Sequence, residues 1–341
     1  MNICHLLSGN QRRFDIVAKR LADYQPRRVR LDACSLCQLN CKDCYMRKFN
    51  NCNFGAGYLT YKNFEKFLDL NPSLTEVELS NNGEIFLNPD LVEIMRLAHS
   101  RFVRLTAING VNLNSVSDDV LEAIVKYKFG IMTISIDGWD QASYSAYRRG
   151  GNFNTVIGNI KKINVLKKKY NSEFPHLVYK CIIMESTDDI SGIRRVKKLA
   201  DELNMYMDFA LDWGGYAPKD PDAVKNETGM DIPKPGVSYE GRDANSRYYD
   251  RWCYQVINEP QINWDGRFFG CCRSDNPLAP GNLFEISLRD FFHTQAAQDL
   301  FRSLCGISGN ASPCETCQFY QSMRRQKNWL HRDEIYQDNL I

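Results

Sequence analysis

Between Val29 and Trp213 short β-rich runs alternate with amphipathic helical stretches, and this alternation constrains the fold more than any other property of the chain. Strand candidates are Val29–Ala33, Glu76–Ser80, Val103–Ala107, Ile131–Ile136, Leu177–Met184 and Met207–Leu211. Helical candidates lie near Tyr61–Leu70, Pro89–Ser100, Asp118–Tyr127, Asn154–Tyr170 and Ile190–Leu203. Asp118-Asp119 and Asn154 place acidic or capping groups at the positive ends of two of these helices. Strands that alternate with helices call for a parallel sheet with right-handed crossovers. Six strands are too few to close an eight-strand barrel.

The first strand candidate runs directly into Cys37-Gln-Leu-Asn-Cys41-Lys-Asp-Cys44-Tyr45, a C-x3-C-x2-C spacing. A loop this short can wrap three thiolates around three irons of a cubane cluster. Soft thiolates favour iron–sulfur chemistry, and clusters are ordinarily held by four of them. A missing fourth thiolate leaves one iron open to a small molecule. Cys34 lies three residues upstream, so a four-thiolate zinc knot is the alternative. Structural zinc sites usually join two C-x2-C arms through a longer spacer.

The loop and its place after a strand resemble the signature of the radical S-adenosylmethionine (radical SAM) enzymes. The resemblance implies a partial (βα)6 TIM-like barrel of α/β class, followed by a small α+β auxiliary-cluster domain. It also implies that the open iron takes the amino and carboxylate groups of S-adenosylmethionine. The residue before the third cysteine, usually aromatic or apolar in the family, is Asp43 here, which leaves Tyr45 as the candidate apolar surface beside the adenine. Ser80-Asn-Asn82-Gly83-Glu84 resembles the family's glycine-rich methionine-binding turn. Gly83 would permit a close backbone approach, and Glu84 would hold the ligand's ammonium. Ser135 at the end of the fourth strand and Arg148 before Gly150-Gly151 match the positions that contact carboxylate and ribose, and arginine's planar fork suits a carboxylate. Arg149 is the adjacent competitor. Asn109 is a candidate for the same cleft, with a simple turn role before Gly110 as the alternative. Met184 would pack against the adenine, unless it is core.

Six of the thirteen cysteines fall in the last 90 residues. Cys253, Gly266 and Cys271 form C-x12-G-x4-C around an Asp265-Gly266 hairpin turn, and Cys314 and Cys317 form a C-x2-C pair. The set resembles the twitch module, the shortened relative of the SPASM module. It implies one fully ligated auxiliary 4Fe–4S cluster in addition to the SAM-binding one, with zinc as the alternative. Cys181, Cys272 and Cys305 are candidate hydrogen-atom donors to a substrate radical; Cys4, Cys34 and Cys52 follow no pattern. The linear division expected is an N-terminal extension (1–28), the barrel (29–213), a Gly-, Pro- and Asp-rich linker or binding loop (214–250), the auxiliary domain (251–330) and a tail (331–341).

A hydrophobic content of 43% can build a sizeable core, and a net charge of +2 implies no broad attraction to nucleic acid. No run approaches the roughly 18 apolar residues of a membrane span. The short polar N-terminus does not read as a signal peptide, and thirteen cysteines then read as reduced, metal-bound thiols in the cytoplasm. The resemblance implies reductive cleavage of S-adenosylmethionine to methionine and a 5′-deoxyadenosyl radical, with one-electron delivery by a flavodoxin or ferredoxin. Only about 28 residues precede the first strand, too few for a peptide-recognition domain. The expected substrate is therefore a small polar metabolite, a sugar or aminocyclitol of natural-product biosynthesis, with oxidation of a secondary alcohol favoured over epimerisation. A peptide or protein maturase and a non-catalytic iron–sulfur or zinc scaffold are the competing readings.

Overall fold

The computed structural model describes residues 3–22, 24–48, 53–212, 216–232, 248–307, 313–327 and 329–330. Cys52 and the side chain of Cys4 lie outside the described residues, as do the expected boundary at Trp213 and the tail. The strands are β1 (Arg28–Leu31), β2 (Glu76–Glu78), β3 (Arg104–Val111), β4 (Ile131–Ser135), β5 (His176–Ile183), β6 (Tyr206–Leu211), β7 (Gln261–Ile262), β8 (Arg267–Gly270) and β9 (Ala279–Asn282). The first six occupy the six expected strand positions.

Two compact units emerge, one of Ala33–Tyr58 with Glu78–Ala244, the other of Met1–Asp32, Leu59–Val77 and Asn245–Ile341. This is not the linear division expected. The N-terminal segment is no mere extension: helix Ile3–Ala22 packs within the second unit, where the Arg302 guanidinium lies 4.8 Å from the Phe14 ring centre. β1 pairs in parallel with β7, Arg30 opposite Gln261, and Arg30 bridges Glu259 at 2.9 Å. Helix Tyr61–Leu70 is held there too, since Phe67 meets Phe284 edge-on and the Asn71 side chain accepts from the Leu288 amide. The 214–250 stretch contains helix Pro221–Thr228 and the start of helix Tyr248–Asn258. Asp220 caps the former, Pro221 opens it and left-handed Gly229 ends it, so loop-type composition here encodes helix ends.

In the first unit β3, β4, β5 and β6 form a parallel ladder in that order. Helices Asp118–Lys126, Phe153–Lys169 and Ile190–Glu202 make the crossovers, capped by Ser117, Asn152 and Asp189. The cap of the second is Asn152, two residues before the expected Asn154. Side chains alternate across a strand, so each strand presents two chemistries. Met132, Ile134, Tyr179 and Ile183 are buried, and Ile183 joins Ile193 and Val224 of the helical layer. Thr133, Ser135, Lys180 and Asp208 share the opposite face, with Ser135 in register with Lys180 and Lys180 with Asp208. Ile131, Val178, Ile182 and Ala210 lie on this inner face as well, so a polar row crosses a surface that is otherwise partly apolar.

Candidate active site

The cysteine loop sits in a cradle that glycine makes possible. Gly83 has φ +67°, and a Cβ there would lie 2.3 Å from the Cys34 carbonyl oxygen and 2.9 Å from that of Leu36. The Glu84 amide donates to the Leu36 carbonyl at 2.8 Å, so the expected methionine-binding turn is stitched to the stem of the loop. On the far side, the amides of Asn40 and Lys42 donate to the carbonyls of Arg149 and Tyr147 at 2.8 and 2.9 Å. Asp43 takes a left-handed φ of +61°, which turns the chain into Cys44.

Fixed charges surround the three thiols. Glu84 is fully buried and accepts from the amides of Phe86 (3.3 Å) and Asn112 (2.8 Å) and from the Asn112 side chain. Desolvation pushes its carboxyl up to about 7, against the pull of the Asn112 and Phe86 amides and of Arg148. Arg148 Nε donates to buried Asp137 at 2.6 Å, and its Nη1 lies 3.6 Å from Cys41 Sγ. Burial alone would lower the Arg148 pKa; Asp137 and Cys41 more than offset it. Burial pushes the Cys37 thiol up to about 12, with Glu84 adding to the effect, while Arg148 tempers the rise at Cys41. Asp137 also accepts from the Ile182 amide at 2.8 Å, which ties β4 to β5 beneath the loop.

The other expected residues gather near these groups to different degrees. Ser135 is buried, and a Cβ on Gly110 would meet its hydroxyl at 2.2 Å, so β3 and β4 close together only because residue 110 is glycine. Asn109 donates to Glu78 at 3.3 Å, a structural tie in place of a simple turn role. Asn82 is buried in the turn, and Met184 is buried where Thr187 ties off the end of β5. Tyr45 is half-exposed and meets Phe54 edge-on. Cys181 alternates with Tyr179 and Ile183 on the helix-facing side of β5, and burial raises its pKa well above the ordinary value.

Three residues had no role in the sequence reading. Glu78, 1% exposed, accepts from Ser80 (2.6 Å), Thr106 (2.7 Å) and the Ile108 amide (2.9 Å), binding the ends of β2 and β3. Asn112 and Asp137 position Glu84 and Arg148. The available signal was a polar residue breaking an apolar run at a strand end, in Glu76-Val77-Glu78 and Ser135-Ile136-Asp137.

In the second unit, β7 and β8 form the expected antiparallel hairpin, with left-handed Gly266 at its turn. Cys253 lies on helix Tyr248–Asn258, Cys271 follows β8, and Cys314 lies within the short helical turn Pro313–Thr316 with Cys317 just after it, the Cys317 amide donating to the Cys314 carbonyl at 2.9 Å. Burial pushes Cys271 up to about 12, with Cys272, Cys314 and Cys317 as charged neighbours. Cys305 is fully buried at the end of helix Gln295–Leu304. Gln255 accepts from the Cys272 amide at 3.2 Å, while its buried Nε2 has no partner among the described residues. A sulfur acceptor would satisfy that donor. Among the described residues no three His, Cys, Asp or Glu side chains converge on one metal ion. Cys37 does feel Cys41 and Cys44, and Cys271 feels Cys314 and Cys317, so each unit gathers the soft thiol donors that an iron–sulfur cluster takes. No described helix is long and apolar enough to cross a membrane.

Residues 253–318 match SPASM, an iron–sulfur cluster-binding domain. No curated protein matches the sequence. The fold is similar to that of SuiB from Streptococcus suis bound to S-adenosylmethionine, at 14% identity and a TM-score of 0.62, over 94% of this chain and 80% of that one. SuiB bound to precursor peptide SuiA gives 14% and 0.60, over 90% and 73%. Native anSMEcpe with bound AdoMet gives 16% and 0.53, over 88% of each chain. The likeness establishes the partial barrel with its C-terminal module. Taken with the C-x3-C-x2-C loop and the iron–sulfur domain over residues 253–318, it supports the assignment of this chain as a radical SAM enzyme carrying a SPASM-type module.

Proposed function

We propose that this enzyme oxidises a secondary alcohol of a small polar metabolite, a sugar or aminocyclitol, by removing the carbinol hydrogen. The observation that carries the reading is a polar row on the inner face of the sheet: beside Val178, Ile182 and Ala210, the side-by-side positions of Ser135, Lys180 and Asp208 offer a hydroxyl, a cation and an anion to a polar substrate. When loaded, the cofactors would supply a 5′-deoxyadenosyl radical to take the C–H hydrogen and, in the auxiliary cluster, an acceptor for the electron left behind, while the hydroxyl proton passes to water. The chain's own residues do the positioning. Cys37, Cys41 and Cys44 hold the SAM-binding cluster, and Cys253, Cys271, Cys314 and Cys317 the auxiliary one. Glu84 receives the ligand's ammonium, whose charge would draw its carboxyl back below 7. Ser135 and Asn109 face the ligand's carboxylate and ribose side, and Tyr45 and Met184 offer apolar surface for the adenine. Arg148 is already paired with Asp137, so its task is to hold Asp137 and Cys41 while its charge completes carboxylate recognition. The first electron comes from a flavodoxin- or ferredoxin-type donor.

Dehydrogenation is favoured over epimerisation because an epimerase needs a thiol that returns hydrogen from the opposite face. Of the three candidate thiols, Cys181 belongs to the helix-facing side of β5 and Cys305 is fully buried, which leaves only the half-buried Cys272 for that role. Anaerobic reconstitution followed by mass spectrometry of candidate substrates tests this. A product two mass units lighter, with 5′-deoxyadenosine formed alongside, is expected. Uptake of one deuterium from heavy water without that loss would replace the reading with epimerisation. A second reading, peptide maturation, is favoured by the fold shared with SuiB, which has been crystallised with its precursor peptide; a modified peptide in the same assay would establish it.

A further inference from the structure

Lys180 and Asp208 stand next to each other on β5 and β6, in register, on the inner face between Val178 and Ile182; Lys180 is half-buried and Asp208 exposed. Adjacent strands lie about 4.8 Å apart, so the two side chains rise side by side. Among the described residues neither forms an ion pair or a side-chain hydrogen bond. Ser135, one strand further in, continues the same row, so the row leads from the cofactor seat to the sheet edge. Several other charges in this unit are paired: Glu78 accepts several hydrogen bonds, Asp137 pairs with Arg148, and Glu227 with Arg194 and Lys197. An opposite-signed pair in neighbouring positions that stays apart offers one donor and one acceptor to a third party.

We propose that Lys180 and Asp208 select the substrate by its functional groups. Asp208 binds a protonated amine and Lys180 a hydroxyl oxygen on an adjacent carbon, so the substrate is a small polyhydroxylated compound bearing a primary amine. The proposal rests on the oxidoreductase reading above and narrows its substrate class. It also explains why the face is charged and not merely hydrophilic. A neutral polyol would be held as well by hydroxyls and amides, whereas a carboxylate recognises an ammonium through a charge-assisted bond. Charge complementarity of this kind sets specificity more than gross affinity.

The test uses the reconstituted full-length chain with S-adenosylmethionine bound. Binding is measured by calorimetry for glucosamine, N-acetylglucosamine and glucose and for an aminocyclitol with its N-acetyl form. Wild type is expected to bind the amines at least ten-fold more tightly than their N-acetyl and deamino counterparts. Asp208→Asn should abolish that preference and Asp208→Glu should keep it. Lys180→Met should weaken amine and neutral ligands alike by about ten-fold. Equal binding of amines and N-acetyl compounds by wild type, or a preference that survives in Asp208→Asn, overturns the proposal. Reductive cleavage of S-adenosylmethionine by wild type is followed in parallel. Cleavage without an amine preference defeats this inference alone, whereas absence of cleavage defeats the oxidoreductase reading beneath it.

Discussion

The two thiol regions solve different problems. The first has three cysteines in one short loop, but its walls come from far along the chain: Gly83 and Glu84, Asn112, Asp137, and Arg148. Both signs of charge are buried there. The second draws its cysteines from a helix, a strand end and a distant turn, and its wall includes a neutral amide, Gln255, whose N–H lacks an acceptor among the described residues. On the proposed reading the contrast follows from what each cluster must do. An open iron has to receive a zwitterion in a fixed pose, which needs an anion and a cation held in advance. A fully ligated cluster needs thiolates and shelter.

Removing the thiols should separate the regions most sharply. Loaded protein is expected to hold about eight irons, as two four-iron clusters. Changing Cys37, Cys41 and Cys44 together to Ala should leave about four and abolish cleavage of S-adenosylmethionine. Changing Cys253, Cys271, Cys314 and Cys317 should also leave about four but retain cleavage while product formation stops. Zinc near two per chain, with no iron after anaerobic purification, would sink both assignments.

Arg148→Ala strands Asp137 in a buried site and should destabilise the apo chain by about 3–5 kcal/mol in urea unfolding. The exposed neighbour Arg149 should cost no more than about 0.5 kcal/mol on the same change. Equal effects would mean that the Asp137–Arg148 pair is not the clamp of the first region.

Glycine substitutions compare the regions directly. A methyl at Gly83 meets backbone oxygens, whereas one at Gly266 meets the side chains of Asn282 and Phe284. Both positions have positive φ, +67° and +87°. Side chains can swing aside, so Gly83→Ala should cost about 3 kcal/mol and Gly266→Ala about 1–2.

A pH dependence belongs to the first region. The folded apo chain holds the Glu84 proton more tightly than the unfolded chain, with a pKa of about 7 against an ordinary 4.5. Its contribution is therefore fully present below about 4.5 and lost as pH rises through about 7, by about 2–3 kcal/mol between pH 5 and pH 8. Glu84→Gln should flatten that slope in thermal unfolding. Saturating S-adenosylmethionine should reverse its sign in the wild type, since an ammonium beside Glu84 favours the charged form.

Much of this was legible in the sequence because it is local. Six strands and five crossover helices follow from periodicity, the hairpin from Asp265-Gly266, and the first thiol set from spacing alone. Helix Gln141–Tyr147 was not, since its apolar content is slight and its stability rests on the Asp140–Ser143 capping box. Glu78 and Asp137 were missed for another reason. A buried carboxylate looks in sequence like any surface one until its donors are known, and those donors lie up to 45 positions away.

By itself, then, the sequence determined the order of the six barrel strands and their crossover helices, the two thiol sets and the glycines on which the loop depends. Those properties are carried by spacing, turn chemistry and side-chain alternation over a few residues. Only tertiary structure decided that the N-terminal helix and β1 belong with the C-terminal residues, through the pairing of β1 with β7 and the Arg30–Glu259 bridge. It also decided that Arg148 spends its charge on Asp137, and that Cys181 and Lys180, adjacent in the chain, lie on opposite faces of one strand. Partners distant in sequence are chosen by burial and by the need to pair every charge removed from water, and no local pattern records that choice.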